Sequence, residues 1–185
     1  FILMRIIVKI FGNRNPQKVG SGFRHAQTFS AAAMALGHGL QDAQKTMGII
    51  VLVLISMSYL PADTGIPLWV VAASAGAISI GTAVGGKKIM RTLGRRVIDL
   101  DPARGFAAEA TASSILYTTA FVFAAPVSTT QIITGSIMGA GVEKRVKSVR
   151  WNVGVNIMWA WLLTLPMSAL VAALCHMLIM AIFGY

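Results

Sequence analysis

Fifteen of the sixteen Lys and Arg residues fall in four places, at 1–11, 12–25, 86–104 and 144–150. Between those stretches the chain is almost entirely apolar or small. Charged residues make up 12% of the sequence, about half the share of an ordinary soluble domain. Long apolar runs separated by basic loops define a polytopic helical membrane protein, so the fold class read from the sequence is all-α. The net charge of +10 then needs no nucleic-acid partner, because cytoplasmic loops collect Lys and Arg. The same rule puts the loops 12–25, 86–104 and 144–150 on the cytoplasmic side of a plasma (inner) membrane and the acidic turn around Asp63 outside. Cys175 is the sole cysteine, which excludes an internal disulfide and a cysteine-based zinc cage.

Taken in order, residues 1–11 are too few to span a hydrocarbon core about 30 Å thick. They read as a cut end or an interfacial helix, followed by a polar loop to residue 26. Residues 27–60 would reach roughly 51 Å as one helix, which is too long for one span. A broken helix is expected there, with the break at 37–45. A spanning helix follows over 67–85, its Gly81 and Gly85 spaced for close packing. After the basic loop 86–104, the segment 105–141 must leave the cytoplasm and return within about 36 residues. Two full spans need about 40 residues plus a turn. A re-entrant hairpin of two short helices, with its tip near Pro126–Gln131, fits that length. A last span is expected over 152–183, interrupted at Pro166.

The break in the first long run carries chemistry. The stretch Gly37-His38-Gly39-Leu40-Gln41-Asp42-Ala43-Gln44-Lys45-Thr46-Met47-Gly48 places an acid, a base and two amides in apolar surroundings. An Asp or Lys at a helix centre in lipid costs about 2.5–3.5 kcal/mol on insertion scales. Such residues line cavities or pair inside a bundle, which makes Gln41, Asp42, Gln44 and Lys45 candidate site residues, with His38 one turn before Asp42. Irregular backbone at membrane depth survives only when buried in protein or lining water. The hairpin tip therefore supplies a second candidate element. The hydroxyls of Ser128, Thr129 and Thr130, with the N–H groups that start the next helix, suit an anion. No nucleophile–base set is visible, so an enzyme is not expected.

These residues carry a resemblance. His38-Gly39-x-x-Asp42-Ala43-Gln44-Lys45-Thr46-Met47-Gly48 is followed by Leu93-Gly94-Arg95-Arg96 and by Asp101-Pro102-x-x-Gly105-Phe106-Ala107-Ala108-Glu109. Pro126-Val127-Ser128-Thr129-Thr130 and Ile133-Thr134-Gly135-Ser136-Ile137-Met138-Gly139 come next, then Trp159-Ala160-Trp161-x-x-Thr164-x-Pro166. In this order, across about residues 25–175, the blocks resemble the second half of the inorganic phosphate transporter family. The resemblance implies secondary transport of phosphate coupled to sodium or protons, sometimes of phosphate complexed with a divalent metal, with no resident cofactor. It implies phosphate binding by Ser128, Thr129, Thr130 and Asp42. Gln41, Asp42 and Gln131 would take the coupling cation, and His38, Gln44, Lys45 and Glu109 would support the site.

Two positions depart from the family pattern. Gln41 stands where the family has Asn, and Gln131 where it has His. The longer amide shifts a cation ligand, and losing the His removes a group that titrates near neutral pH. The resemblance also implies that a first repeat supplies the other half of the site. The chain begins with Phe1 rather than Met, and the expectation is a piece or one part of a split transporter. Its partners would be inorganic phosphate, a coupling cation, the bilayer, and the missing first repeat or a homologous subunit. The alternative is a degenerate membrane subunit that folds with or regulates a transporter half.

Overall fold

The computed structural model describes residues 1–91 and 97–183. All regular structure among them is helical: α1 (Ile2–Phe11), α2 (Pro16–Ser56), α3 (Leu68–Arg91), α4 (Pro102–Phe121), α5 (Thr129–Val142) and α6 (Trp151–Phe183). A short 3-10 turn, Val146–Ser148, lies between α5 and α6. The first unit comprises Phe1–Val149, and the second begins at Arg150. Two helices, over Leu68–Gly86 and Trp151–Ile182, are long and apolar enough to cross a membrane. The motif Leu93–Arg96 and most of the basic loop 86–104 lie outside the residues whose side chains are described.

Helix starts are written into the sequence. Asn15 caps α2, its Oδ1 accepting from Gln17 N at 3.0 Å, with Pro16 in the first turn. Asp101 caps α4, its Oδ1 accepting from Arg104 N at 2.9 Å while Arg104 Nη1 donates to Oδ2 at 2.7 Å. Ser128 caps α5 by accepting from Gln131 N at 3.4 Å. A side-chain oxygen at this position satisfies one of the N–H groups a helix start leaves unbonded. The Asn15-Pro16 start also corrects the polar loop expected over 12–25, most of which is the first turns of α2.

In the first unit α4 is the hub, packing against α1, α2 and α5. Its buried residues are mostly small (Gly105, Ala107, Ala108, Ala112 and Ser113), with Leu116 fully buried near the end. Small side chains let neighbouring backbones approach and gain packing contacts. α2 and α4 run parallel, joined along their length by side chains. Phe23 stacks between Phe11 and Phe106, each ring pair at 5.5 Å. Ser30 Oγ donates to Glu109 Oε2 at 2.6 Å, and Tyr117 Oη donates to the Ala33 carbonyl at 2.8 Å. Gly37 faces Leu116 and Tyr117, where a Cβ would sit 3.5 Å from the Tyr117 ring. α3 packs on the opposite part of α2, with Val70 buried against Ala43 and Met47.

α2 is continuous over 41 residues, so the break expected at 37–45 is absent. Asp42 and Lys45 pair along the helix and Gln41 reaches α4, contacts that a continuous helix permits. Gly81 and Gly85 have nothing within 4 Å of a Cβ position, so they make no close packing among the described residues. The second unit is α6, 33 residues with Pro166 inside and no break. The proline lacks an N–H, and nearby hydroxyls bond back to the helix: Thr164 Oγ1 to the Ala160 carbonyl at 2.8 Å and Ser168 Oγ to the Thr164 carbonyl at 2.7 Å.

Leu116 tests the α2–α4 contact because it has no exposed surface. Leu116→Ala is expected to destabilise the first unit by about 2–5 kcal/mol, read as a fall in thermal unfolding temperature in detergent. An unchanged transition would mean that α4 does not anchor the unit.

Candidate functional site

Asp42 sits midway along α2 between two basic groups on adjoining turns. His38 Nδ1 lies 3.4 Å from Oδ2 without hydrogen-bond geometry, and Lys45 Nζ lies 3.3 Å from Oδ1. Residues three and four apart share a helix face, so this bracketing follows from the spacing 38, 42, 45. All three side chains are between a third and two-fifths exposed, so the carboxylate faces an open space rather than a sealed core.

Lys45 reaches further. Its Nζ donates to the Val127 carbonyl at 2.5 Å, and Val127 directly precedes Ser128. One ammonium thus joins the α2 cluster to the start of α5, and the two polar stretches singled out in the sequence meet through it. Gln41, Gln44, Lys45 and Gly48 form one side of an open groove of about 590 Å³. Ala124, Ala125 and Pro126 form part of the other side. Ala124 has a φ of 48°, a left-handed conformation that a residue with a Cβ adopts only under constraint.

Gln41 is 4% exposed. Its Nε2 donates to the Leu116 carbonyl at 2.9 Å and to Thr119 Oγ1 at 3.1 Å, tying α2 to α4. Its Oε1 is buried and has no partner among the described residues. The added methylene of Gln carries the amide across to the neighbouring helix.

The hydroxyls at the start of α5 do not converge. Thr129 is 4% exposed, whereas Ser128, Thr130 and Gln131 are on the surface. Successive helix residues point about 100° apart. Ser128 Oγ is engaged as the cap, while the N–H groups of Thr129 and Thr130 have no intrahelical acceptor. Glu109 lies elsewhere, bonded to Ser30, twelve residues or roughly 18 Å along α2 from Asp42. Among the described residues no three His, Cys, Asp or Glu side chains converge. The Val127 carbonyl and Thr119 carry no sequence signal for their roles, since one is main chain and the other ends an ordinary helix.

An all-helical membrane protein with a polar cluster where a long helix meets a helical hairpin is the class that fold and site define. The chain belongs to the phosphate transporter family, whose model matches residues 6–172. Among curated proteins it is 44% identical over 175 residues to a probable low-affinity inorganic phosphate transporter of Rhizobium meliloti, covering 95% of this chain and 52% of that protein. It is 38% identical over 183 residues to a protein of the same description from Bacillus subtilis, covering 99% of this chain and 55% of the relative. A third, from Mycobacterium tuberculosis, is 42% identical over 165 residues, or 89% of this chain and 39% of that one. The chain therefore spans about half the length of the curated relatives it matches. No solved structure matches it.

Removing the ammonium tests the link between the two stretches. Lys45→Met is expected to raise amide hydrogen exchange over residues 127–131 roughly five- to tenfold, the loss of one part-exposed charge-assisted bond. Exchange in the first three turns of α4 should not change. Unchanged exchange at 127–131 would show that Lys45 does not hold the hairpin connection.

Proposed function

We propose that this chain takes part in secondary transport of inorganic phosphate across the membrane, coupled to sodium or protons, and supplies one half of a central site. The Lys45 bridge carries this reading, because it sets an acid suited to a cation beside a helix start suited to an anion. Asp42 would hold the coupling cation or accept a bond from a protonated phosphate. The α5 N-terminus would present its free N–H groups, with Ser128 and Thr130 at the surface beside them. Family membership and the descriptions of the relatives support phosphate as the cargo. The hairpin of α4 and α5 fits a re-entrant element: α5 has 14 residues, about 21 Å, which is short of a full span.

A second reading has one observation in its favour. Gln41 stands at the groove wall, yet its amide nitrogen is spent on α4, as in a repeat that has kept its packing and given up its ligand. On that reading the chain is a non-transporting membrane subunit that folds with or regulates a partner half. The retained Asp42 weighs against it, since a carboxylate in apolar surroundings is costly to keep without a use.

Radiolabelled phosphate uptake into proteoliposomes, with and without a sodium or pH gradient, separates the readings. The half-site reading expects no accumulation from the inserted, folded chain alone and gradient-driven uptake once a first repeat is co-reconstituted. Asp42→Asn should then abolish uptake while leaving insertion intact. Uptake by the chain alone would overturn the half-site assignment, and normal uptake by Asp42→Asn would remove Asp42 from the site. Failure with the first repeat present would favour the non-transporting subunit.

A further inference from the structure

The elbow between α1 and α2 carries a groove unrelated to the Asp42 cluster. It has a volume of about 570 Å³ and is lined by Phe11, Arg14, Asn15, Lys18, Gly22 and Phe23, among others. Its floor is aromatic and fixed, because Phe11 meets Phe23 edge-on and Phe23 in turn rests on Phe106. The mouth is basic: Arg14 precedes the helix and Lys18 lies one turn on. It also opens at the positive end of α2, whose first turn holds no acidic residue.

The surroundings match this polarity. No Asp or Glu occurs before Asp42, whereas Arg5, Lys9, Arg14, Lys18 and Arg24 all do; Asp101, which lines an adjoining groove with Arg14, is paired with Arg104. Among the described residues, neither Arg14 nor Lys18 belongs to an ion pair. α1 shows an outward stripe of Ile2, Ile6 and Ile10, each about half or more exposed. These side chains give α1 an apolar outward face next to its basic residues Arg5 and Lys9.

We propose that this elbow is a binding site for an anionic phospholipid. The headgroup phosphate sits between Arg14 and Lys18 at the start of α2, and an acyl chain runs over Phe11 and Phe23. An apolar floor beneath two unpaired cations selects a molecule with a negative head and a hydrocarbon tail. Free phosphate would use the cations and leave the floor empty. Basic residues close to a membrane attract anionic lipid with a strength that is about additive per residue. The site is independent of the transport reading, since none of its residues belongs to the Asp42 cluster or the hairpin tip.

Native mass spectrometry of the detergent-purified chain tests the assignment. The probes are phosphatidylglycerol and phosphatidylcholine with identical acyl chains. The wild type is expected to retain one phosphatidylglycerol in preference to phosphatidylcholine. The double variant Arg14→Gln/Lys18→Gln should lower that retention roughly tenfold or more. Arg5→Gln/Lys9→Gln, which removes the same charge from α1, should leave it unchanged. Gly22 lies at the groove with nothing within 4 Å of a Cβ position. Gly22→Leu should therefore fill the groove and displace lipid with every charge intact, and it favours helix formation. Equal retention of the two lipids would overturn the proposal, as would equal loss in the α1 variant or no loss in Gly22→Leu. Displacement of phosphatidylglycerol by inorganic phosphate alone would assign the site to the free anion instead.

Discussion

The first unit depends on the parallel seam between α2 and α4. Its sides are small residues and rings, and its rungs are polar: Ser30 to Glu109, Tyr117 to the Ala33 carbonyl, and Gln41 to Leu116 and Thr119. Where little water competes, a satisfied hydrogen bond is stronger and an unsatisfied polar group costs more. The rungs therefore fix the register that apolar packing leaves loose. A slide of one turn would separate each donor from its acceptor. With the seam fixed, α4 offers its remaining surface to α1 and α5, while α2 receives α3 on the other side.

Much of this was legible from residue order. The helical class followed from apolar runs between basic loops, and two helices, α4 and α5, occupy the segment where a helical hairpin was expected. The caps Asn15, Asp101 and Ser128 are ordinary start signals, and the 38, 42, 45 spacing predicts a shared face. The break in α2 was a misreading of glycine and charge. Gly37 serves a close approach by α4, and the charges pair along the helix, so neither requires unwinding. Pro166 is a parallel case, since α6 continues past it. The Val127 carbonyl was invisible to any reading of side chains, because main-chain acceptors look alike in every sequence.

One of the two positions that depart from the pattern the resemblance implies, Gln41, has structural work. Gln41 reaches a carbonyl on α4, which makes its amide a cross-helix strut with one buried oxygen left unmatched. Glu109 has a comparable part further down the same seam. Acids and amides near the middle of an apolar chain thus sort into two groups. Gln41 and Glu109 bond across the α2–α4 seam, whereas Asp42 pairs along α2 itself.

The left-handed Ala124 adds a mechanical reading to the hairpin. A residue with a Cβ at a φ of 48° stores about 1–3 kcal/mol relative to a relaxed backbone. Three residues later the chain is clamped by a single ammonium. The connection from α4 to α5 is therefore bent at Ala124 and tied to α2 at Val127, so backbone strain and its restraint lie within one turn of chain.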